Sequence, residues 1–299
     1  MLRPLRHALR MFLKNPGFTL VAICSLAIGI GSTSASFSIA DVLLLRPLPV
    51  RGPRRVVAVT PSQLGAFGTD STLSYPDYRD FRNMNRSFDG LVASGLRVFG
   101  FSPDGKALPK STYGTYVSGN FFQTLGVQPV LGRGFSESED QAVGRDAVVV
   151  LGHDFWVSEF NANPSVVGSS LRLNGVECRI VGVAGGQFTG VEQMVNPALF
   201  VPLAMAPRLG FVNALEKRDE RRLTVHGRLK PGISIDQANA DLGSIATRLE
   251  RLYPETNRER QVQVQTQMHF RVKQVPPQAA LAVMQSVLAL CILLVACAN

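Results

Sequence analysis

The sequence lacks the residues and motifs on which most enzyme sites depend. Only four cysteines occur in 299 residues, and Cys178 is the only one between residues 41 and 273, so that region can form no internal disulfide. No Gly-x4-Gly-Lys-Ser/Thr loop, His-Glu-x-x-His or Gly-x-Ser-x-Gly motif is present, and the four histidines stand far apart. These motifs carry P-loop nucleotide binding, zinc protease chemistry and serine hydrolase chemistry. We therefore predict that the chain is not an enzyme and that it holds no cofactor and no metal.

Two long segments, one near each end of the chain, carry no charged residue. Residues 15–40 and 274–299 contain no Asp, Glu, Lys or Arg, although the whole chain has 31 basic and 22 acidic residues. Because a helix needs roughly 20 apolar residues to cross a bilayer, the first uncharged run predicts a transmembrane helix with its stalk over residues 18–45. Asp41 would then lie in the headgroup region or beyond it.

The leader before this run, residues 1–17, is basic. It carries Arg3, Arg6, Arg10 and Lys14 and no acidic residue, so the positive-inside rule places the N-terminus in the cytoplasm and the chain after residue 46 outside. Leucines at spacings of three and four predict an amphipathic helix on the inner leaflet. Two alternatives stay open here, a solvated leader and a signal peptide cleaved near residues 34–36.

The second uncharged run, residues 279–299, stops without a basic flank. It predicts a second transmembrane helix that is incomplete, so that the sequence would be the N-terminal part of a longer membrane protein; a short tail-anchored protein is the alternative. In the first run, Gly29 and Gly31 lack the strand and helix of a dinucleotide-binding motif. Small residues let helices approach closely, so we predict that both glycines are helix-packing positions.

The middle of the chain, residues 46–278, predicts an α+β extracytoplasmic domain. Ser74 precedes one helical pattern, and Ser234 with Gln237 has capping-box spacing before another. Alternating strand-like segments flank both helices. We predict one lobe from residues 46–117 and 204–278, with a second lobe, residues 118–203, rich in strands and inserted into it.

Two charged segments in this domain do not match the pattern of a known metal site or nucleic-acid site. Glu137, Glu139 and Asp140 have the chemistry to bind a cation, and a solvated loop explains them as well. Residues 217–222 mix both signs of charge, which is typical of an exposed loop and poor for nucleic acid. No nucleic-acid partner is predicted.

An ordered series of short motifs carries a resemblance that covers essentially the whole chain. They include Asn15-Pro-Gly-Phe-Thr-Leu, Val117-Ser-Gly-Asn-Phe-Phe, Leu131-Gly-Arg-Gly-Phe, Leu173-Asn-Gly and Arg228-Leu-Lys-Pro-Gly. The series resembles MacB/FtsX-type ABC transporter permeases, in the variant of the duplicated orphan permeases of acidobacteria. The middle of the chain resembles their MacB-like periplasmic core domain.

The resemblance implies a permease component of an efflux or release system in the inner membrane. A separate cytoplasmic ATPase would drive it by mechanotransmission through the helices, with a second permease copy, the lipid bilayer and a periplasmic adaptor or outer-membrane channel as further partners. The positions that matter for this motion would be Gly29 and Gly31 in helix packing, and residues 41–45 in the stalk. The segment that contacts the ATPase would follow the second helix, so residues 1–299 alone are not expected to couple to ATP. The alternative function is a membrane-anchored periplasmic module that regulates a partner such as a cell-wall hydrolase.

Overall fold

The computed structural model describes residues 16–40, 47–62, 72–103, 108–192, 195–213 and 215–274, together with Met284, Val287 and Cys291. Its contacts divide the chain into two units, residues 1–46 with 275–299, and residues 47–274. The described helices are α1 (Pro16–Ala40), α2 (Tyr75–Met84), α3 (Phe121–Leu125), α4 (His153–Phe160), α5 (Ile235–Leu252), α6 (Pro254–Asn257) and α7 (Gln267–Gln274). The described strands are β1 (Val56–Pro61), β2 (Leu73–Ser74), β3 (Phe88–Ser102), β4 (Lys110–Val117), β5 (Leu131–Gly132), β6 (Val148–Leu151), β7 (Ser170–Leu173), β8 (Val176–Val183), β9 (Leu199–Pro202), β10 (Arg221–Leu229) and β11 (Val262–Thr266).

One mixed sheet runs through the unit formed by residues 47–274. Its strand order is β11-β1-β10-β3-β4-β9-β6-β8-β5, with β2 beside β10 and β7 beside β3 and β8. The pairs β4–β9 and β6–β8 are parallel, and the others are antiparallel. The α+β class predicted for this part is therefore confirmed. Because β3 pairs with β7 and β4 pairs with β9, residues 118–203 continue the same sheet.

The two helices predicted from their caps are present. The Ser74 hydroxyl accepts a hydrogen bond from the Asp77 backbone N–H at 3.2 Å and starts α2. Ser234 and Gln237 form a complete capping box at the start of α5, with both reciprocal hydrogen bonds made. Such a box satisfies backbone donors that the helix itself leaves open. Local signals therefore predict these two helices correctly.

Helices cover the sheet on both faces, which explains why every residue of β1 is buried. On one face, α2 and α5 pack in a core with Val57, Val59 and Val225. On the other face, α3 packs in a second core that includes Val56 and Val92. Because side chains alternate along a strand, neighbouring residues of β1 belong to different cores.

Removing the α5 cap gives a direct test of the capping box. Ser234→Ala is expected to lower the free energy of unfolding by about 1 kcal/mol, because the Gln237 N–H loses its acceptor. Urea denaturation of the full chain in a neutral detergent, followed by the fluorescence of Trp156, measures it. Ser244→Ala is the matched control, because the exposed Ser244 hydroxyl bonds only to the Asp241 carbonyl inside the helix. Equal losses in the two variants would contradict the role of the cap.

Within the parts of the chain that the structure describes, no helix combines the length and the apolar character needed to cross a bilayer. The transmembrane prediction for residues 18–45 is therefore not confirmed. The leader up to residue 15, Asp41 and nearly all of residues 279–299 lie outside the described residues, so the predictions made for them stay predictions.

Candidate functional site

The two glycines predicted as packing positions lie on α1 and differ in their surroundings. Gly29 is buried and Gly31 is exposed. A Cβ added to Gly31 would meet no described atom within 4 Å. The structure thus places neither glycine in the unit formed by residues 47–274, and their role in helix packing stays a prediction.

The structure points instead to the place where that unit connects to the rest of the chain. The start of β1 lies beside the end of β11, with Val57 opposite Thr266 and Ala58 opposite Gln265. Helix α7 follows β11 directly and packs against both β1 and β11. We call this set, namely β1, β11, α7 and His226 of β10, the junction. Both connections of the unit therefore start from one hydrogen-bonded strand pair.

Helix α7 makes an aromatic contact with the sheet. Phe270 is almost fully buried, and its ring meets the His226 ring edge to face, with the centroids 5.4 Å apart. Met268, His269 and Val272 of the same helix are exposed. The local sequence is mostly polar, so the buried Phe270 accounts for much of the apolar area that the helix contributes. This contact links α7 to β10, the strand that pairs with β1 on its other side.

His226 sits in a setting that disfavours its charged form. It is fully buried, and neither ring nitrogen has a hydrogen-bond partner among the described residues. Burial lowers the pKa of His226; together with the positive charge of Arg271, which adds to this effect, and the Gln267 side chain, which opposes it, the result is a pKa of about 4. The ring is therefore neutral at pH 7, and a proton on it would be costly.

A further polar pair completes the sheet side of the junction. The Gln265 side-chain amide donates to the Thr60 hydroxyl at 2.8 Å, and both residues are buried. Since hydrogen bonds of this kind are stronger away from water, the pair ties β11 to β1 through side chains as well as through the backbone ladder. The junction is thus a stiff connection between two segments of the chain.

The fold and the motif order are those of a known domain family. The sequence pattern of the MacB-like periplasmic core domain matches residues 19–245. The chain belongs to the MacB-like periplasmic core domain family. It thus carries the periplasmic domain typical of an ABC transporter permease family, as its motifs indicate. The matched segment includes β1 and His226, while β11 and α7 follow it.

Solved structures share this MacB-like fold at low sequence identity. The periplasmic region of MacB from Actinobacillus actinomycetemcomitans is 14% identical, with a TM-score of 0.54 over 73% of this chain and 91% of that one. A domain of a putative permease protein from Porphyromonas gingivalis is also 14% identical, with a TM-score of 0.52 over 71% of this chain and 90% of that one. No curated protein sequence matches the chain significantly. At this identity the likeness establishes the fold.

The acidic group singled out in the sequence has a structural role in the MacB-like domain. Glu139 forms an ion pair with Arg133 at 2.7 Å, and Asp140 accepts backbone hydrogen bonds from Gly119 and Ala204, each at 2.9 Å. Both acidic residues are buried. The solvated-loop interpretation is therefore wrong for these two residues. In the described ranges, no group of three potential metal-binding side chains occurs.

The sequence predicts only one part of the junction, the strand β11. The alternation from Gln261 to Thr266 predicts β11, but nothing nearby announces that α7 folds back onto the sheet. His226 and Phe270 are 44 positions apart, and each alone is an ordinary core residue. Their contact depends on the strand order β11-β1-β10, which no local pattern encodes.

Proposed function

We propose that this chain is a permease component of an ABC-type efflux or release system in the inner membrane, and that it performs no covalent chemistry. The N-terminus would lie in the cytoplasm and residues 47–274 in the periplasm. A separate cytoplasmic ATPase, a second permease copy and a periplasmic adaptor or outer-membrane channel would be its partners. ATP binding and hydrolysis would move the periplasmic domain through the segments that flank it.

The junction is the observation that supports this proposal most directly. A domain moved from outside needs stiff attachment points, because a flexible linker would absorb the displacement. Here the chain reaches β1 within ten residues of Pro47 and leaves β11 straight into α7. A relative shift of the two flanking segments would therefore reach the β1–β11 ladder through the short segment 47–55 on one side and directly through α7 on the other.

The strand order then spreads such a shift into the domain. β1 pairs with β10 on its other side, and β10 pairs with β3, the 15-residue strand that extends to β4 and β7. Close-packed interiors deform little, so a displacement at the edge moves the sheet as a body. The proposed motion would thus be a rocking of the MacB-like domain about the junction.

Hydrogen exchange in α7 tests the coupling. The full-length gene is co-expressed with a candidate ABC ATPase from the same organism, and membranes are compared with and without a non-hydrolysable ATP analogue. We expect the nucleotide to change amide exchange in the peptide covering residues 267–274 at least threefold, since α7 lies at the attachment point. Peptides from β8 serve as the internal reference.

Two further measurements make the outcome decisive. An ATPase variant that cannot bind nucleotide should abolish the change in α7. The exposed Arg172, replaced by cysteine, should react with a membrane-impermeant maleimide from the periplasmic side, which tests the topology separately. Unchanged exchange in α7 beside an ATPase shown to be active would refute coupling, and co-purification of a cell-wall hydrolase in place of the ATPase would favour the regulatory alternative.

A further inference from the structure

A basic cleft of about 500 Å³ opens beside the start of β1. It lies between the 3-10 turn Pro53–Arg55, the end of β10 and the short helix α3. Three guanidinium groups line it, those of Arg51, Arg55 and Arg228, with Asp89 as the only carboxylate in its described lining. Positive charge in the cleft is therefore only partly balanced.

Two of the three arginines are oriented by backbone carbonyls. Arg228 donates to the carbonyls of Thr124 and Leu125, at 2.5 and 2.9 Å, and so ties β10 to the end of α3. Arg55 donates to the Leu229 carbonyl at 2.8 Å and also pairs with Asp89. Carbonyl groups orient a guanidinium without neutralising it. Burial lowers the pKa of Arg228, the positive charges of Arg55 and Arg51 add to that effect, and the negative charge of Asp89 opposes it.

Arg51 is the arginine that is available to a ligand. The first atoms of its side chain lie against Gly126, where an added Cβ would come within 2.7 Å of the Arg51 Cβ. Gly126 has φ +64° and ends α3, so a glycine is favoured there on two grounds. The Arg51 guanidinium is exposed and makes no hydrogen bond or ion pair with the part of the chain that the structure describes. The exposed Gln123 amide lines the same cleft.

The position of the cleft indicates where its ligand comes from. Arg228 lies opposite Val56, the first residue of β1, so the cleft is at the end of the strand where the chain arrives. Arg51 lies six positions after residue 45, the end of the predicted stalk, and this stretch spans at most about 20 Å. If residues 18–45 cross the membrane, as the proposed function has it, the cleft lies within reach of lipid headgroups.

We propose that this cleft binds a phosphate group, and that in the membrane the phosphate is that of an anionic phospholipid headgroup. Arg51 would pair with two phosphate oxygens, while Arg228 and Arg55 supply the positive field and Gln123 a further donor. Guanidinium groups suit this task because their planar fork matches phosphate geometry. A bound headgroup would hold the start of β1 at the bilayer surface. The lipid source rests on the proposed topology; phosphate binding as such does not.

Calorimetry on the full chain in a neutral detergent tests the site. The probes are inorganic phosphate, dihexanoyl-phosphatidylglycerol and dihexanoyl-phosphatidylcholine. We expect saturable binding of the phosphatidylglycerol, with an affinity at least tenfold above that for phosphatidylcholine and above that for inorganic phosphate. Arg51→Gln should weaken it at least tenfold, since one bidentate contact is lost. Arg172→Gln removes the same charge from an exposed position of β7 and should leave binding unchanged.

The outcomes distinguish a phospholipid headgroup from free phosphate, and they distinguish failure of this site from failure of the proposed function. Equal, Arg51-dependent binding of inorganic phosphate and phosphatidylglycerol would keep the phosphate site and overturn the lipid source. Binding that survives Arg51→Gln, with circular dichroism unchanged, would overturn the site altogether. Because the measurement is made in detergent, it is independent of the ATPase and of membrane orientation. A chain that fails the coupling test can therefore still pass this one.

Discussion

Replacing Arg218 by alanine is expected to destabilise the MacB-like domain by about 3 kcal/mol or more. Arg218 donates to the Asp77 carboxylate at 2.6 Å and also pairs with Asp80. Its guanidinium carbon lies 3.7 Å from the centre of the Tyr253 ring. The side chains of Arg218 and Asp77 are only 11% and 4% exposed, so the alanine variant would leave a buried carboxylate without its cation.

The size of this effect follows from what Asp77 holds together. Besides Arg218, its carboxylate accepts hydrogen bonds from the Ser74 hydroxyl at 2.7 Å and the Asn257 amide at 2.9 Å. The cluster thus joins the start of α2, the segment before β10 and helix α6. Breaking a buried ion pair from one side typically costs several kcal/mol, whereas removing both charges costs much less.

A double-mutant cycle measures the pair. Urea unfolding of the full chain, followed through Trp156, is compared for Arg218→Ala, Asp77→Asn and the double variant. The double variant should be more stable than the sum of the single losses predicts, by about 2 kcal/mol. Lys217→Ala is the control, because the Lys217 side chain lies in the same segment, is exposed and forms no hydrogen bond or ion pair with the described residues. A loss for Arg218→Ala within about 0.5 kcal/mol of that control would refute the role given to the pair.

Arg218 also shows why part of the structure could not be predicted. Residues 217–222 mix both signs of charge and favour an exposed loop, and Lys217 is indeed exposed. Arg218 differs because its partners Asp77 and Asp80 lie 141 and 138 positions away. A pattern of charge reports the local chain only. The exposed-loop prediction is therefore wrong for Arg218 and for the last two residues of the segment, which belong to β10, and correct for Lys217.

Helices and strands that have a local signal can be predicted from the sequence. The caps at Ser74 and Ser234 predict α2 and α5, because a capping hydroxyl acts on backbone groups within three residues. The long strand β3 lacks such a signal, since Gly90, Gly95 and Gly100 interrupt its alternation. At Gly95 and Gly90 an added Cβ would come within 3.1 and 2.7 Å of neighbouring atoms. These glycines reflect close approach in the folded sheet, which the sequence alone does not reveal.

The candidate site, too, has parts that the sequence indicates and parts that only the folded structure shows. The resemblance indicates Gly29, Gly31 and Asp41, which can be read from the sequence one position at a time. The junction and the basic cleft arise from strand order, which places Arg228 opposite Val56 and Thr266 opposite Val57. Pairing between β1, β10 and β11 joins segments about 170 to 200 residues apart, and loop closure on that scale leaves no local trace.

The stability of the domain is expected to fall by about 2 kcal/mol between pH 7 and pH 5 on account of His226. Burial lowers the pKa of this residue to about 4, against 6.5 for an exposed histidine. Between these two values the unfolded chain binds a proton on His226 that the folded chain does not. Folding free energy is therefore fully retained above pH 6.5, is lost as the pH falls toward 4, and changes no further below it.

His226→Leu isolates this contribution, because leucine fills most of the same space and cannot titrate. Urea unfolding at pH 7 and pH 5 should show a drop in the parent chain that exceeds the drop in His226→Leu by about 2 kcal/mol, while carboxylates elsewhere affect both chains alike. His269→Gln removes an exposed histidine from α7 and should leave the parent's pH dependence intact. Equal drops in the parent and in His226→Leu would contradict the assignment. Since the proton would enter beside the Phe270 ring, the protection of amides in residues 267–274, corrected for the pH dependence of intrinsic exchange, should fall at pH 5 before that of the sheet. This ties acid sensitivity to the same junction that is proposed to carry the motion.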